Sequence, residues 1–196
     1  MNYLLLDSSN TLLAVGLRKN KQLVDQISYP CFQRQSEYMI GEIEKLLKRN
    51  KIKFEEINGI MVTIGPGSYT GLRIALTIAK VAAFALRIPL YPISTLKANS
   101  LDGEDCIVLF NAKSNRSYIA AFKNNKQILP DQVMDNNMVK DYLKKHPKFT
   151  LVGDLAYLNL KGKTSDVLNN MNDFLPTIKA VNDVNLVKPI YLKESY

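Results

Sequence analysis

Three places in this 196-residue chain carry side chains that could do chemistry. In the first, Asp7-Ser8-Ser9-Asn10, a carboxylate, two hydroxyls and an amide follow an apolar run, a set able to organise a hard cation or a phosphate. The second is Gly65-Pro66-Gly67-Ser68-Tyr69-Thr70-Gly71-Leu72-Arg73, set between the apolar stretches 60–64 and 74–86. Its glycines tolerate positive φ and its proline fixes φ, so the turn holds a backbone that ordinary residues would not adopt. A helix opening there presents unpaired N–H groups that favour an anion by about 0.3–1 kcal/mol when exposed. The third is His146, the single histidine, in the polar segment Lys144-Lys145-His146-Pro147-Lys148.

Each familiar chemistry lacks a component. Gly65-x-Gly67-x-x-x-Gly71 approaches a dinucleotide fingerprint, but that site needs a parallel βαβ unit and an acid after the next strand, and residues 90–93 carry none. A P-loop would need Gly-Lys-Ser/Thr after the turn, and Arg73 is misplaced for the phosphate-gripping lysine. Ser68 sits where a hydrolase places its nucleophile, yet there is no Gly-x-Ser-x-Gly spacing and no histidine partner nearby, so it reads as an N-cap contributing about 1 kcal/mol. One histidine and two distant cysteines cannot build a zinc-type site. No catalytic residue, metal or cofactor is expected, and His146 is expected in a solvated loop.

The elements that must hold these groups follow from periodicity. Residues 2–7, 12–18 and 22–29 are apolar runs joined by turns too short for a parallel crossover, so they predict a three-stranded antiparallel meander. From 36 to 51, Met39, Ile40, Ile43, Leu46 and Leu47 recur at helical spacing, with Ser36 as the expected N-cap. The strand 60–64, the glycine turn and a second helix follow, the helix stopping near Ile88 because Pro89 comes next. A strand over 90–93 leads to Ser94-Thr95, which can cap a further helix. The order βββαβαβ is that of a ribonuclease-H-like half-domain. The composition turns polar at 101–105, which divides the chain into domains 1–102 and 103–196, the second a smaller, trimmed copy. In it, strands are expected at 106–111, 116–122 and 149–152, and loops at Asp135-Asn136-Asn137 and Asn169-Asn170-Met171-Asn172-Asp173.

The second helix is apolar over more of its surface than one sheet face requires. Arg73, Thr77, Lys80 and Arg87 make one narrow polar stripe, and Ala75, Ala79 and Ala83 at i, i+4, i+8 would let another helix approach closely. Either the second half of the chain or another subunit covers this arc.

Charge and composition set the remaining bounds. The net charge is +8, from 26 Lys and Arg against 18 Asp and Glu, but few of these cations are Arg and the lysines are scattered, often beside Asn. This reads as a solvated basic surface rather than a dedicated RNA site. Cys31 and Cys106 lie in apolar surroundings and are expected as buried free thiols in a reducing compartment. No basic, apolar leader opens the sequence, and Thr77 and Lys80 interrupt the most apolar segment, so a cytoplasmic chain without signal peptide or membrane span is expected.

The stretch Gly65-Pro66-Gly67-Ser68-Tyr69-Thr70-Gly71-Leu72-Arg73-Ile74 resembles the signature of the TsaB (YeaZ) family. Asp7-Ser8-Ser9, Ser36-Glu37, Ile93-Ser94-Thr95-Leu96 and Lys188-Pro189-Ile190-Tyr191-Leu192-Lys193 match as well. The resemblance implies an α/β fold of the actin-like ATPase (ASKHA) superfamily with two related subdomains. It implies a non-catalytic subunit that heterodimerises with TsaD, the transferase that places threonylcarbamoyl on the adenosine beside the anticodon of tRNAs reading ANN codons. A TsaE-family ATPase docks on the pair, tRNA is contacted only through the complex, and the isolated chain could pair with itself. The partner-binding residues implied on the two large helices are Met39, Ile40, Ile43, Leu46, Tyr69, Leu72, Arg73, Ala75, Leu76, Ala79, Ala82 and Ala83. Gly65, Pro66, Gly67, Ser68 and Gly71 then form a structural loop, and Asp7, Ser8, Ser9 and Asn10 a vestigial phosphate or nucleotide loop. The chain departs from the family at Gln35, where His is frequent, and at Asn111-Ala112-Lys113, where Asp-Ala-Arg is usual. The competing readings are a stand-alone actin-fold ATPase or kinase organised by Asp7, and a peptidase acting on TsaD.

Overall fold

Leu4, Leu5 and Leu6 follow one another without an exposed position because both faces of their strand are covered. The computed structural model describes residues 1–31 and 33–192. Strands β1 (Asn2–Asp7), β2 (Leu12–Lys19) and β3 (Gln22–Pro30) form the expected antiparallel meander. Helix α1 (Gln35–Arg49) returns the chain so that β4 (Ile57–Thr63) pairs parallel to β1. Helix α2 (Tyr69–Leu86) then leads to β5 (Leu90–Ile93), parallel to β4, and to the short α3 (Thr95–Ala98). The order β3-β2-β1-β4-β5 is the mixed five-stranded sheet of a ribonuclease-H-like half.

A second sheet repeats the plan with fewer parts. Strands β6 (Cys106–Lys113), β7 (Arg116–Lys123) and β8 (Lys126–Asp135) form a meander, α4 (Asn136–Lys145) follows, and β9 (Thr150–Gly153) pairs parallel to β6, giving the order β8-β7-β6-β9. This is the expected copy, one strand short. It encloses a polar chain in which the Tyr157 hydroxyl donates to Ser117 Oγ at 2.5 Å and Ser117 Oγ donates to Asn136 Oδ1 at 2.7 Å.

Both expected loops in the C-terminal half are helical. Asp135 is the N-cap of α4, accepting from Asn137 N at 2.8 Å. The Asn-rich stretch belongs to α5 (Val167–Phe174), where Val167, Leu168, Met171 and Phe174 are buried. Their spacing is helical, and this outweighs the weak helix propensity of Asn. The expected boundary at 102/103 is corrected too. One compact unit comprises Met1–Ala98 with Val167–Ile190, and the other comprises Asn99–Asp166 with Tyr191 and Leu192. The return of α5 has a physical cause, because Leu5, Ala14, Met61 and Ile93 form a sheet face that α1 and α2 leave open, and α5 fills it.

Further local expectations change. Helix α1 is capped by Arg34 without a side-chain hydrogen bond, so Ser36 lies inside the first turn instead of capping it. Helix α2 ends at Leu86 with Arg87 in the left-handed conformation. By length and composition α2 could cross a membrane, but it lies along β4, and seven of its residues are buried: Gly71, Leu72, Ala75, Leu76, Ala79, Ala82 and Ala83.

Candidate functional site

The glycine turn and the Asp7 turn are built into one another. Gly67 and Gly71 lie so close to the first turn that a Cβ would stand 2.2 Å from Ser9 O and 1.9 Å from Ser8 O, respectively. Ser68 N donates to Ser9 O at 2.7 Å, and Ser8 Oγ donates to Gly71 O at 2.7 Å. Asp7 Oδ1 accepts from Thr63 Oγ1 at 2.5 Å and from Ser9 N at 3.0 Å. Gln35, buried at the start of α1, closes the group by donating to Asn10 O at 3.3 Å. Gly65 has φ +116° and follows β4, its carbonyl accepting from Thr95 N at 2.8 Å. Ser68 caps α2 as expected, accepting from Gly71 N at 3.2 Å.

This interlock commits Asp7, Ser8 and Ser9 of the expected phosphate loop to internal bonds, while Asn10 is half-buried. Ser8 and Ser9 have no exposed surface and Asp7 only 2%, and their side chains are bonded internally, Ser8 to the glycine turn, Asp7 to β4 and to Ser9 N, and Ser9 Oγ accepting from Asn10 Nδ2 at 3.3 Å. Gly67 and Gly71 thus allow the first turn of α2 to lie against the turn that follows β1.

The expected partner-binding residues separate into two groups. Met39, Ile43, Leu46, Leu72, Ala75, Leu76, Ala79, Ala82 and Ala83 are buried in the core of their own unit, so they are corrected from docking residues to packing residues. The small-residue row of α2 is buried in the core that this helix shares with its sheet and with α1. Ile40 and Tyr69, each 55% exposed, and Arg73 do face outward. They line a shallow groove of about 470 Å³ between α1 and α2, together with Ile74, Thr77 and Ile78. The Arg73 guanidinium carbon stands 4.2 Å from the centre of the Tyr69 ring. Farther along α2, Val81 is 64% and Phe84 68% exposed, and Phe84 borders a second groove of about 460 Å³ with Arg87, Ile88 and Val184. Residue-by-residue reading missed Ile74, Ile78, Val81 and Phe84. Their signal was a row of bulky apolar residues at helical spacing, offset from the alanine row.

The remaining candidates have structural roles. His146 is half-buried, contrary to the solvated loop expected, its ring stacked on Tyr142 at 4.2 Å and edge-on to Phe149 at 5.2 Å. Cys31 and Cys106 are buried free thiols, as read from their apolar surroundings. Asn111 Oδ1 accepts from Lys113 N at 2.8 Å, and Lys113 has φ 60°, so both residues shape the β6–β7 turn. Among the described residues, no group of three or more His, Cys, Asp or Glu side chains comes together. Lys193 of the C-terminal motif lies outside the described residues.

Comparison with known proteins gives a consistent picture. Residues 31–150 match the family model of TsaD, tRNA N6-adenosine threonylcarbamoyltransferase. The chain is 26% identical to the tRNA threonylcarbamoyladenosine biosynthesis protein TsaB of Buchnera aphidicola (subspecies Acyrthosiphon pisum, strain APS), over 88% of this chain and 86% of that one. It is 32% identical to the protein of the same name from Bacillus subtilis (strain 168), over 73% of this chain and 65% of that one. The solved structure of YeaZ from Pseudomonas aeruginosa superposes with a TM-score of 0.75 at 17% identity, covering 97% of this chain and 99% of that one.

Proposed function

The chain belongs to the TsaD-type family, on its TsaB (YeaZ) side, and from that premise we propose that it acts in tRNA threonylcarbamoyladenosine biosynthesis as a non-catalytic subunit paired with a TsaD-type transferase. Its fold is the actin-like ATPase (ASKHA) architecture, α/β with a mixed sheet in each unit. The observation that carries the reading is the apolar row of α2 beside its alanine row, in which Val81 and Phe84 are exposed and Ile74 and Ile78 half-buried, next to the exposed Ile40 of α1. A helix that already buries one face in its own core and exposes a second apolar row has the form of a helix-packing surface. The docking set is thus Ile40, Tyr69, Arg73, Ile74, Ile78, Val81 and Phe84, in place of the alanines. The non-catalytic assignment is supported by the commitment of Asp7, Ser8 and Ser9 to internal hydrogen bonds. In this reading, a TsaE-family ATPase docks on the heterodimer, two copies of the isolated chain can share the same face, and the protein works in the cytoplasm.

The test is reconstitution. Purified chain, its TsaD-type and TsaE-type partners and the adenylate-forming enzyme are mixed with unmodified tRNA and threonylcarbamoyladenosine is measured. The full mixture is expected to modify tRNA, and the chain alone neither to modify it nor to hydrolyse ATP. Modification at the full rate without this chain overturns the proposal.

A further inference from the structure

The sheet of the first unit has two ends, and the Asp7 and glycine turns occupy one of them. At the other end lie the β2–β3 turn, the segment joining α1 to β4, and the link from α2 to β5. Backbone and amide hydrogen bonds tie these together: Asn20 N to Met1 O at 3.2 Å, Asn2 N to Asn58 Oδ1 at 2.7 Å, Asn2 Nδ2 to Glu56 O at 3.1 Å, and Ile60 N to Pro89 O at 3.1 Å. Lys19 and Lys21 flank the β2–β3 turn, Lys48 is in the last turn of α1, Lys51 and Lys53 follow it, and Arg87 ends α2; all are exposed. Among the described residues, none of these six forms an ion pair with a carboxylate.

The acids at this end do not balance them. Asp25 is held by Arg49, with Nε and Nη2 each at 2.5 Å, and those hydrogen bonds keep its carboxyl below the usual 3.8. Glu56 accepts Lys53 N at 2.7 Å, and Glu55 is exposed beside it. Between Lys53 and Glu55 stands Phe54, 37% exposed. The ends of β2, β1, β4 and β5 at ordinary strand spacing span about 14 Å. Five of the scattered lysines and Arg87 are thus brought by topology to one basic end.

We propose that this end of the first unit is a docking surface for the phosphate backbone of RNA, with Phe54 as a stacking face for a base. Unpaired lysines are point charges that contact a backbone without reading sequence, and an exposed aromatic among them is the usual complement in single-stranded recognition. An anionic membrane fits less well, because the end lacks the broad apolar face that interfacial insertion uses. The choice of RNA as the polyanion rests on the subunit reading above; the basic surface does not.

The experiment titrates a fluorescent tRNA transcript with the full chain, alone and in complex with the TsaD-type subunit, between about 50 and 200 mM salt. The variants are Lys19→Glu with Lys21→Glu, Lys51→Glu with Lys53→Glu, and, as an equal charge change in the other unit, Lys140→Glu with Lys148→Glu. Each pair at the basic end is expected to weaken binding by about tenfold or more and to lower the slope of log K against log salt by roughly 1.5–2. The Lys140/Lys148 pair is expected to change binding by less than about twofold, and thermal melting checks that all variants fold. Equal loss from the Lys140/Lys148 pair, no change from the basic-end pairs, or tighter binding to anionic phospholipid vesicles than to tRNA overturns the proposal. Co-purification with the TsaD-type subunit is read separately on the same samples, so failure of the subunit reading and failure of the RNA surface are distinguishable.

Discussion

At Gly71 the first methyl group of any other side chain would stand 1.9 Å from the carbonyl oxygen of Ser8, well inside contact distance. The clash is with backbone, which cannot swing away, and Ser8 is fixed further by its own bond to Gly71 O. Gly71→Ala is therefore expected to cost about 3 kcal/mol or more, at the upper end of overpacking penalties. Ser68→Ala, which only removes the cap, should cost about 1 kcal/mol. Urea unfolding midpoints of the two variants check this order, and equal midpoints would show that the turns separate freely. The sequence marked this loop as special through its glycines and proline. It could not reveal the reason, because the atom Gly71 avoids lies 63 positions away in sequence. Local spacing therefore suggested an anion cradle where the structure has a backbone contact.

At the level of elements, periodicity located the helices better than it oriented them. The apolar arc of α2 holds an alanine-rich row and a bulkier row, and a 3.6-residue repeat alone does not say which row meets the sheet. The alanines are the buried row, since small residues permit close approach, while the bulkier row is half-buried at Ile74 and Ile78 and exposed at Val81 and Phe84. Asn composition similarly hid α4 and α5, whose burial pattern rather than propensity makes them helical. The strands of the first sheet were more legible, because short apolar runs between brief turns admit few pairings, whereas β8, which has no fully buried position, was not foreseen. This orientation decides how the docking face is tested. Ala79→Arg would place a cation in a position with no exposed surface and unfold the unit, so its loss of binding would be uninformative. Val81→Glu changes a position that is 64% exposed and is expected to leave the melting temperature nearly unchanged. It should weaken association with the TsaD-type subunit by about 2 kcal/mol, roughly 30-fold, as a central apolar contact does. Calorimetric titration with the partner provides the measurement, and unaltered affinity in a folded Val81→Glu protein would move the interface off this face.

For the whole molecule, the consequential feature is that the chain leaves the first unit after Ala98 and comes back at Val167. A division at residue 102 looks natural in the sequence because polar residues gather there and every strand of the first sheet has already appeared. It omits one face of the core. Val167, Leu168, Met171, Phe174 and Leu175 pack against Leu5, Ala14, Met61 and Ile93. Beyond them, Val181 N donates to Leu90 O at 2.9 Å and Ile190 N to Ile64 O at 2.6 Å, so the returning segment also ties down the edge strand and the end of β4. Burying five such side chains is worth about 7–15 kcal/mol as an upper estimate, comparable with the whole stability of an ordinary domain, about 5–15 kcal/mol. The fragment 1–102 should therefore not fold by itself, even though it contains the complete five-stranded sheet. It is expected to melt without a cooperative transition and to bind a hydrophobic dye. A peptide of residues 167–190 added in trans should restore a cooperative melt, because it supplies the missing face. A cooperative transition in the fragment alone, at the temperature of the full chain, would show that α1 and α2 suffice and that the return of the chain serves some purpose other than completing this core.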